Sequence, residues 1–254
     1  IDDMVQGSHY ESWPKMAISS YNEEQVKKLR EHIFSFFDTY EEKNTYAPRF
    51  FIDRVFKTKG VGEIVTGSLE EESLRIEDRL RSYPGEDVYR LKIMQSHDVS
   101  IEEAEKNTTV ALSLTGDSSR ELERGDVLSF PNAYFLNDMV IVKIEALKGK
   151  EARIKHNTEY KVYFGSKELS AKLIELGSDF YELLLDDKTL LYHGQRAILR
   201  QLSPVETLAG VEVVDANPPE GRHNKKSYAT DLKEKAYEEI IFSKYPEGIT
   251  KDEM

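Results

Sequence analysis

Between Pro48 and Val214 the chain is cut into short apolar runs by glycine, proline, asparagine and aspartate. Residues 50–69, FFIDRVFKTKGVGEIVTGSL, set the pattern. An apolar strand leads into a turn where Gly60 and Gly62 supply backbone freedom, and a second apolar strand returns. Further turns are expected at 84–85, at Asn107 and at 124–125. A second block of strands opens at 139–144. It continues through 159–165, 169–176, 180–185 and 196–199, and ends near Val214. Many short strands at this spacing favour barrels over a parallel sheet. The expectation is a mainly β chain of two small β-barrels with flanking helices, the two blocks not being copies of one unit.

The flanks read differently. Residues 1–37 look helical at both ends, with 14–19 (PKMAIS) as a short strand between. Asn22 can cap a helix whose Val26, Leu29, Ile33 and Phe36 or Phe37 recur at helical spacing. Trp13, Phe34, Phe36 and Phe37 fit helix packing better than base stacking. Residues 39–47 are expected to be a polar linker, 217–226 a second linker, and 229–243 an amphipathic helix.

Composition removes several classes of function. The chain has 254 residues, 39% hydrophobic and 32% charged, as a protein with real cores should. It has no cysteine, which excludes disulfides, cysteine-built zinc fingers and thiol nucleophiles. No apolar run approaches bilayer length, and the start IDDMVQGSH lacks the pattern of a signal peptide, so a cytoplasmic setting without a membrane is expected. The net charge of −12 argues against gripping nucleic acid by bulk electrostatics. It leaves room for a local cationic face.

Four segments resemble the selenocysteine-specific elongation factors, the SelB family of translational GTPases. They are IDRVFKTKGVGEIVTGSL (52–69), MQSHDVSIEEAEKNTTVALSLTG (94–116), LERGDVL (122–128) and HGQRAILRQLSPVETLAGVEVVDANPP (193–219). The last favours SelB over its EF-Tu-type cousins. The resemblance implies barrels of the translation-elongation-factor type. Residues 47–134 would be domain II and 135–220 domain III. Residues 1–46 would be the end of a GTPase domain, with Ile18, Ser19 and Ser20 where a guanine-contacting loop lies. Residues 221–254 would be a linker and the entry to a winged-helix region. There is no G-x-x-x-x-G-K-[ST] loop, no D-x-x-G and no N-K-x-D. The chain is therefore expected to be non-catalytic alone and to hold no cofactor, GTP and Mg belonging to the parent family. It reads as the middle of a larger protein. The partners implied are selenocysteyl-tRNA, the ribosome and, through winged-helix domains, a selenoprotein mRNA hairpin.

The same resemblance carries the candidate site. Asp53 and Arg54 match the acidic–basic pair of the family's aminoacyl pocket. Asp53 would accept from the amino group and Arg54 would face the selenolate. A selenol ionises at neutral pH where serine's hydroxyl does not, so a cationic pocket separates the two. Neighbours on a regular strand point to opposite faces, so both can serve one pocket only at a strand end or a bulge. Thr109 stands where the family has arginine, and Asn107 where it has glycine. Arg124 matches a rim position that supplies charge. Glu102 and Glu103 lie where the terminal adenosine is held. His97 falls in the strand before that turn, and His97 with Asp98 makes at most two metal ligands. Arg222, His223, Lys225 and Lys226 form a basic cluster suited to RNA phosphate or to a solvated linker. A relative with a degenerate tRNA pocket, serving as a protein- or RNA-interaction module, is the alternative reading; an independent enzyme has no motif in its favour.

Overall fold

The computed structural model describes residues 2–5, 11–37, 46–58, 62–116, 118–177, 179–219 and 221–234. The chain divides into two compact units, 1–44 and 45–254. In the first, α1 (Asp2–Val5) and α2 (Glu23–Phe37) are helical. Asn22 caps α2 as expected, its Oδ1 accepting from Gln25 N at 3.2 Å and its carbonyl from Val26 N at 3.0 Å. The strand expected at 14–19 does not form. An extended segment with no ladder beside it among the described residues is not a strand. Of the α2 stripe, Val26 and Leu29 are half-buried and Ile33 is exposed, as are Phe34 and Trp13 outside it; the side chains of Phe36 and Phe37 lie outside the described residues.

The second unit is β. Its first barrel comprises β1 (Arg49–Thr58), β2 (Gly62–Glu70), β3 (Leu74–Arg75), β4 (Arg79–Tyr83), β5 (Val88–Ser96), β6 (Val99–Ile101), β7 (Glu103–Ala104), β8 (Thr108–Thr115) and β9 (Val127–Ser129). The sheet order is β4-β9-β1-β2-β8-β5-β6, and a further β4–β5 ladder closes β4, β9, β1, β2, β8 and β5 into a ring with β6 beside β5; β3 and β7 pair with each other as a separate two-stranded sheet. Phe50, Ile52, Val65, Leu69, Leu91, Leu112 and Leu114 fill it. Ala47, expected in a linker, is buried in that core. Residues 59–61 of the expected first turn lie outside the described residues, and Gly62 already opens β2.

The second barrel comprises β10 (Leu136–Ala146), β11 (Thr158–Phe164), β12 (Lys167–Gly177), β13 (Phe180–Leu190), β14 (Arg196–Gln201) and β15 (Glu206–Asp215). It closes in the order β10-β13-β12-β11-β14-β15. Each strand alternates inward and outward, as Tyr160, Val162 and Phe164 show on β11. The helix α3 (Arg222–Glu234) then packs on this barrel. Ala229 and Leu232 bury against Ile141, Leu176, Phe180 and Val214. The expected linker at 217–226 therefore turns helical at Arg222, and the expected helix 229–243 begins earlier; residues 235–243 of it lie outside the described residues. What fixes the start is a buried ion pair between Lys225 and Glu182, 8% and 5% exposed, with Tyr228 donating to the buried Asp215 at 2.9 Å.

Candidate functional site

The β1 strand breaks its alternation at Asp53. Ile52 pairs with Gly67 and Arg54 with Thr66, so Asp53 is an extra residue with no partner of its own, a β-bulge. Phe50 and Ile52 point inward, and without the bulge Arg54 would follow them into the core. Instead Val55 takes the next core position, and both Asp53 and Arg54 are exposed. The bulge draws the β1 backbone onto β2. A Cβ on Gly67 would fall 1.9 Å from the Phe51 carbonyl oxygen, so only glycine fits.

Register then arranges the outer face. Arg54, Thr66 and Ala111 form one cross-strand row; Phe51, Ser68 and Thr109 form the next. Thr109 on β8 thus lies one row from Arg54 on β1, with the single strand β2 between them. Asn107 has φ +61° and donates to Leu69 O at 2.8 Å. Asparagine is one of the few non-glycine residues that tolerate that backbone.

Arg124 comes to the bulge through its loop. Gly125 N donates to Ile52 O at 2.8 Å, and Ile52 N donates to Asp126 O at 2.9 Å. Asp126 is 2% exposed, is ion-paired with Arg120 and accepts from Glu123 N at 3.0 Å. Burial pushes its carboxyl above the ordinary value, against the pull of the Glu123 amide, Arg120 and Lys167.

An open cleft of about 590 Å³ lies between the barrels. The first barrel lines it with Phe51, Asp53, Ser68, Glu70 and Arg124. The second contributes Ser166, Tyr192, Gln195 and Arg196, about which sequence reasoning was silent as site residues. Gly125, at φ +90°, lies against Lys167, where a Cβ would approach the Lys167 Cβ to 2.8 Å. Ser166 Oγ donates to Ile52 O at 3.4 Å. Arg54 is outside the cleft lining.

One residue pins the seam. Arg49 is 3% exposed, its guanidinium 3.7 Å from the Tyr192 ring centroid. It donates to Glu71 at 2.7 Å, Glu70 at 3.4 Å and Tyr134 Oη at 3.1 Å. Burial alone would lower its pKa, but Tyr134, Tyr192 and Glu71 outweigh that and leave it raised. Burial pushes the Tyr134 and Tyr192 hydroxyls up to about 12, although Arg49 pulls both down. Tyr83, Val127 and Leu190 form the apolar base of this seam.

The remaining candidates are elsewhere. Glu103 is held by Ser73 and Arg75, each at 3.0 Å, while Glu102 is exposed; neither lines the cleft. His97 and Asp98 form the two-residue β5–β6 turn, both with positive φ, so His97 is not in the strand. Among the described residues no group of three His, Cys, Asp or Glu could hold a metal. Ser19 caps a turn in the first unit, beside exposed Ile18 and Ser20; its N donates to Gln25 Oε1 at 2.8 Å. The basic cluster is split. Lys225 is not available to RNA phosphate because its ammonium is buried on Glu182, whereas Lys226 is exposed. The Arg222 and His223 side chains lie outside the described residues.

Residues 137–220 match the family model for the selenocysteine-specific elongation factor β-barrel domain. The chain is 28% identical over 248 residues to the selenocysteine-specific elongation factor of Desulfomicrobium baculatum, covering 91% of this chain and 38% of that protein. It is 27% identical over 203 residues to that of Escherichia coli K12, covering 79% of this chain and 32% of that protein. The chain thus spans about a third of these relatives' length, 38% of one and 32% of the other. Its fold matches the crystal structure of a bacterial selenocysteine-specific elongation factor, EF-Sec, with a TM-score of 0.73 at 23% identity, over 87% of this chain and 37% of that one. The SelB structure from Methanococcus maripaludis matches at 0.60 and 18% identity, over 74% of this chain and 47% of that one. Paired barrels, family match and relatives agree: residues 137–220 match the β-barrel domain of the selenocysteine-specific elongation factor family, and the chain is similar to the middle domains of its members.

Proposed function

We propose that this chain is the aminoacyl-tRNA-holding part of a selenocysteine-specific elongation factor, active in the cytoplasm and delivering its tRNA to the ribosome at recoded UGA codons. GTP, Mg and the mRNA hairpin would be bound by other parts of such a factor. The bulge at Asp53 carries the reading. It turns a carboxylate and a guanidinium, adjacent in sequence, to the surface together. Asp53 would accept from the α-amino group, and Arg54 would face the ionised selenol. A charge-assisted contact of this kind is worth about 1.5–3 kcal/mol, against a neutral serine hydroxyl that gains little from it.

Equilibrium binding of selenocysteyl-tRNA and seryl-tRNA tests this. Selenocysteyl-tRNA should bind about ten-fold tighter, and Arg54→Ala should bring the two together. Equal affinities in the unmodified chain would refute selenocysteine selection. They would favour the degenerate-pocket reading, which Thr109 supports by placing a neutral hydroxyl beside Ser68.

A further inference from the structure

A bulge is a soft place in a strand, because its extra residue has no ladder partner. Asp53 is such a residue, yet Asp53 and Arg54 must keep one arrangement if they are to tell a selenolate from a hydroxyl. The β2 side of β1 does not supply that rigidity, since the register breaks there between Ile52 and Arg54. The opposite side does. The β9 ladder reaches Phe51 at Val127, and residues 125–126 carry it on to Ile52. Ile52 N donates to Asp126 O at 2.9 Å, and Gly125 N donates to Ile52 O at 2.8 Å.

Residues 125–126 are themselves held by the second barrel. The β11–β12 turn is Gly165, at φ +57°, and Ser166, between the paired Phe164 and Lys167. Gly125 lies so close to this turn that a Cβ on it would come within 2.8 Å of Lys167 Cβ, 3.0 Å of its Cα and 3.1 Å of its N. Lys167 Nζ is 3.9 Å from Asp126 Oδ1, with the lysine side chain 17% and the aspartate side chain 3% exposed. Ser166 Oγ donates at 3.4 Å to Ile52 O, the same carbonyl that accepts from Gly125. That bond is long, so the packing of Lys167 on Gly125 is the firmer contact. The Lys167 ammonium is turned toward a buried carboxylate and is not presented to a ligand.

We infer that Ser166 and Lys167 are positioning residues for the aminoacyl site: the β11–β12 turn of the second barrel braces the backbone from which Asp53 and Arg54 project. They act through Ile52, Gly125 and Asp126 and do not touch the amino acid. The inference rests on the aminoacyl-tRNA reading above for what the site selects, whereas the brace is measurable without any tRNA.

The whole chain is compared with Ser166→Ala, Lys167→Gly and the double variant, and with Ser166→Thr and Lys167→Arg, which keep the hydroxyl or the Cβ and charge. Arg120 still pairs with Asp126 in every variant, so no buried carboxylate is left alone. Amide hydrogen exchange at Ile52 and Gly125 should speed up about ten-fold in the double variant, while the β2–β8 ladder keeps its rates and Tm stays within about 3 °C. Selenocysteyl-tRNA should lose its advantage over seryl-tRNA, from about ten-fold to about three-fold or less, with seryl-tRNA affinity unchanged. Ser166→Thr and Lys167→Arg should keep both the exchange rates and the preference. Unchanged exchange at Ile52 and Gly125 in the double variant would overturn the inference. Equal weakening of both tRNAs at unchanged exchange would also overturn it, by making Ser166 a direct contact. Faster exchange in a chain that shows no preference even unmodified would uphold the brace and refute selenocysteine selection instead.

Discussion

Removing Arg49 should uncouple the two barrels. The guanidinium is 3% exposed and stacks 3.7 Å from the centroid of Tyr192, which belongs to the second barrel. A desolvated contact of that type contributes about 2 kcal/mol. The bond to Glu71 at 2.7 Å is charge-assisted and partly buried, worth about 1.5–3 kcal/mol. Arg49→Ala forfeits both. Glu71 keeps a quarter of its side chain in water and can partly rehydrate, which limits the damage. Tyr134 still donates to Ala47 O at 2.8 Å, so its hydroxyl is not orphaned. The expected cost is about 3–5 kcal/mol, within the range for breaking a buried pair. For a chain of this size that lowers Tm by about 10 °C. Calorimetry should show the loss, and the single transition should split as the barrels melt apart. Arg49→Lys keeps the charge but not the stacked plane, and should fall between. A loss below about 0.5 kcal/mol in Arg49→Ala, with one transition, would refute the pin.

Other perturbations follow from the same contacts. Tyr134 and Tyr192 have folded pKa values near 12, above the ordinary value of about 10. The folded state holds those protons longer, so their stabilisation is complete below about pH 10 and is lost as pH rises toward 12. Absorbance titration should find tyrosines ionising late, together with unfolding, and not in one step near pH 10. Lys225→Met leaves Glu182 buried without its partner and should cost about 3–5 kcal/mol; hydrogen exchange should show α3 releasing, and the Lys225→Met/Glu182→Met pair should recover most of the loss. Gly67→Ala should abolish folding of the first barrel by circular dichroism, because its Cβ would sit 1.9 Å from a carbonyl oxygen. A folded variant would mean the bulge can relax.

Much of this molecule can be read before any coordinates. Period-two runs between turn residues mark the strands of both barrels, because one face of each is buried and the other is wet. The bulge also leaves a trace in the sequence. Core residues fall at 50 and 52, then at 55 and not 54, and that slip of one is the signature of an extra residue. The seam leaves no such trace. Arg49 and Tyr192 are 143 positions apart, Asp53 and Arg196 the same, and only barrel docking makes them neighbours. Helix α3 was misplaced because HNKK looks like a solvated linker. Its lysine finds a buried carboxylate at Glu182, which local pattern cannot disclose.

The most direct test follows the ester itself. If the rim formed by Asp53 and Arg54 holds the charged end of tRNA, the chain should slow spontaneous deacylation of selenocysteyl-tRNA, and Asp53→Asn with Arg54→Ala should abolish that protection. Identical deacylation rates with and without the folded chain, at concentrations where tRNA binding is saturated, would contradict the account.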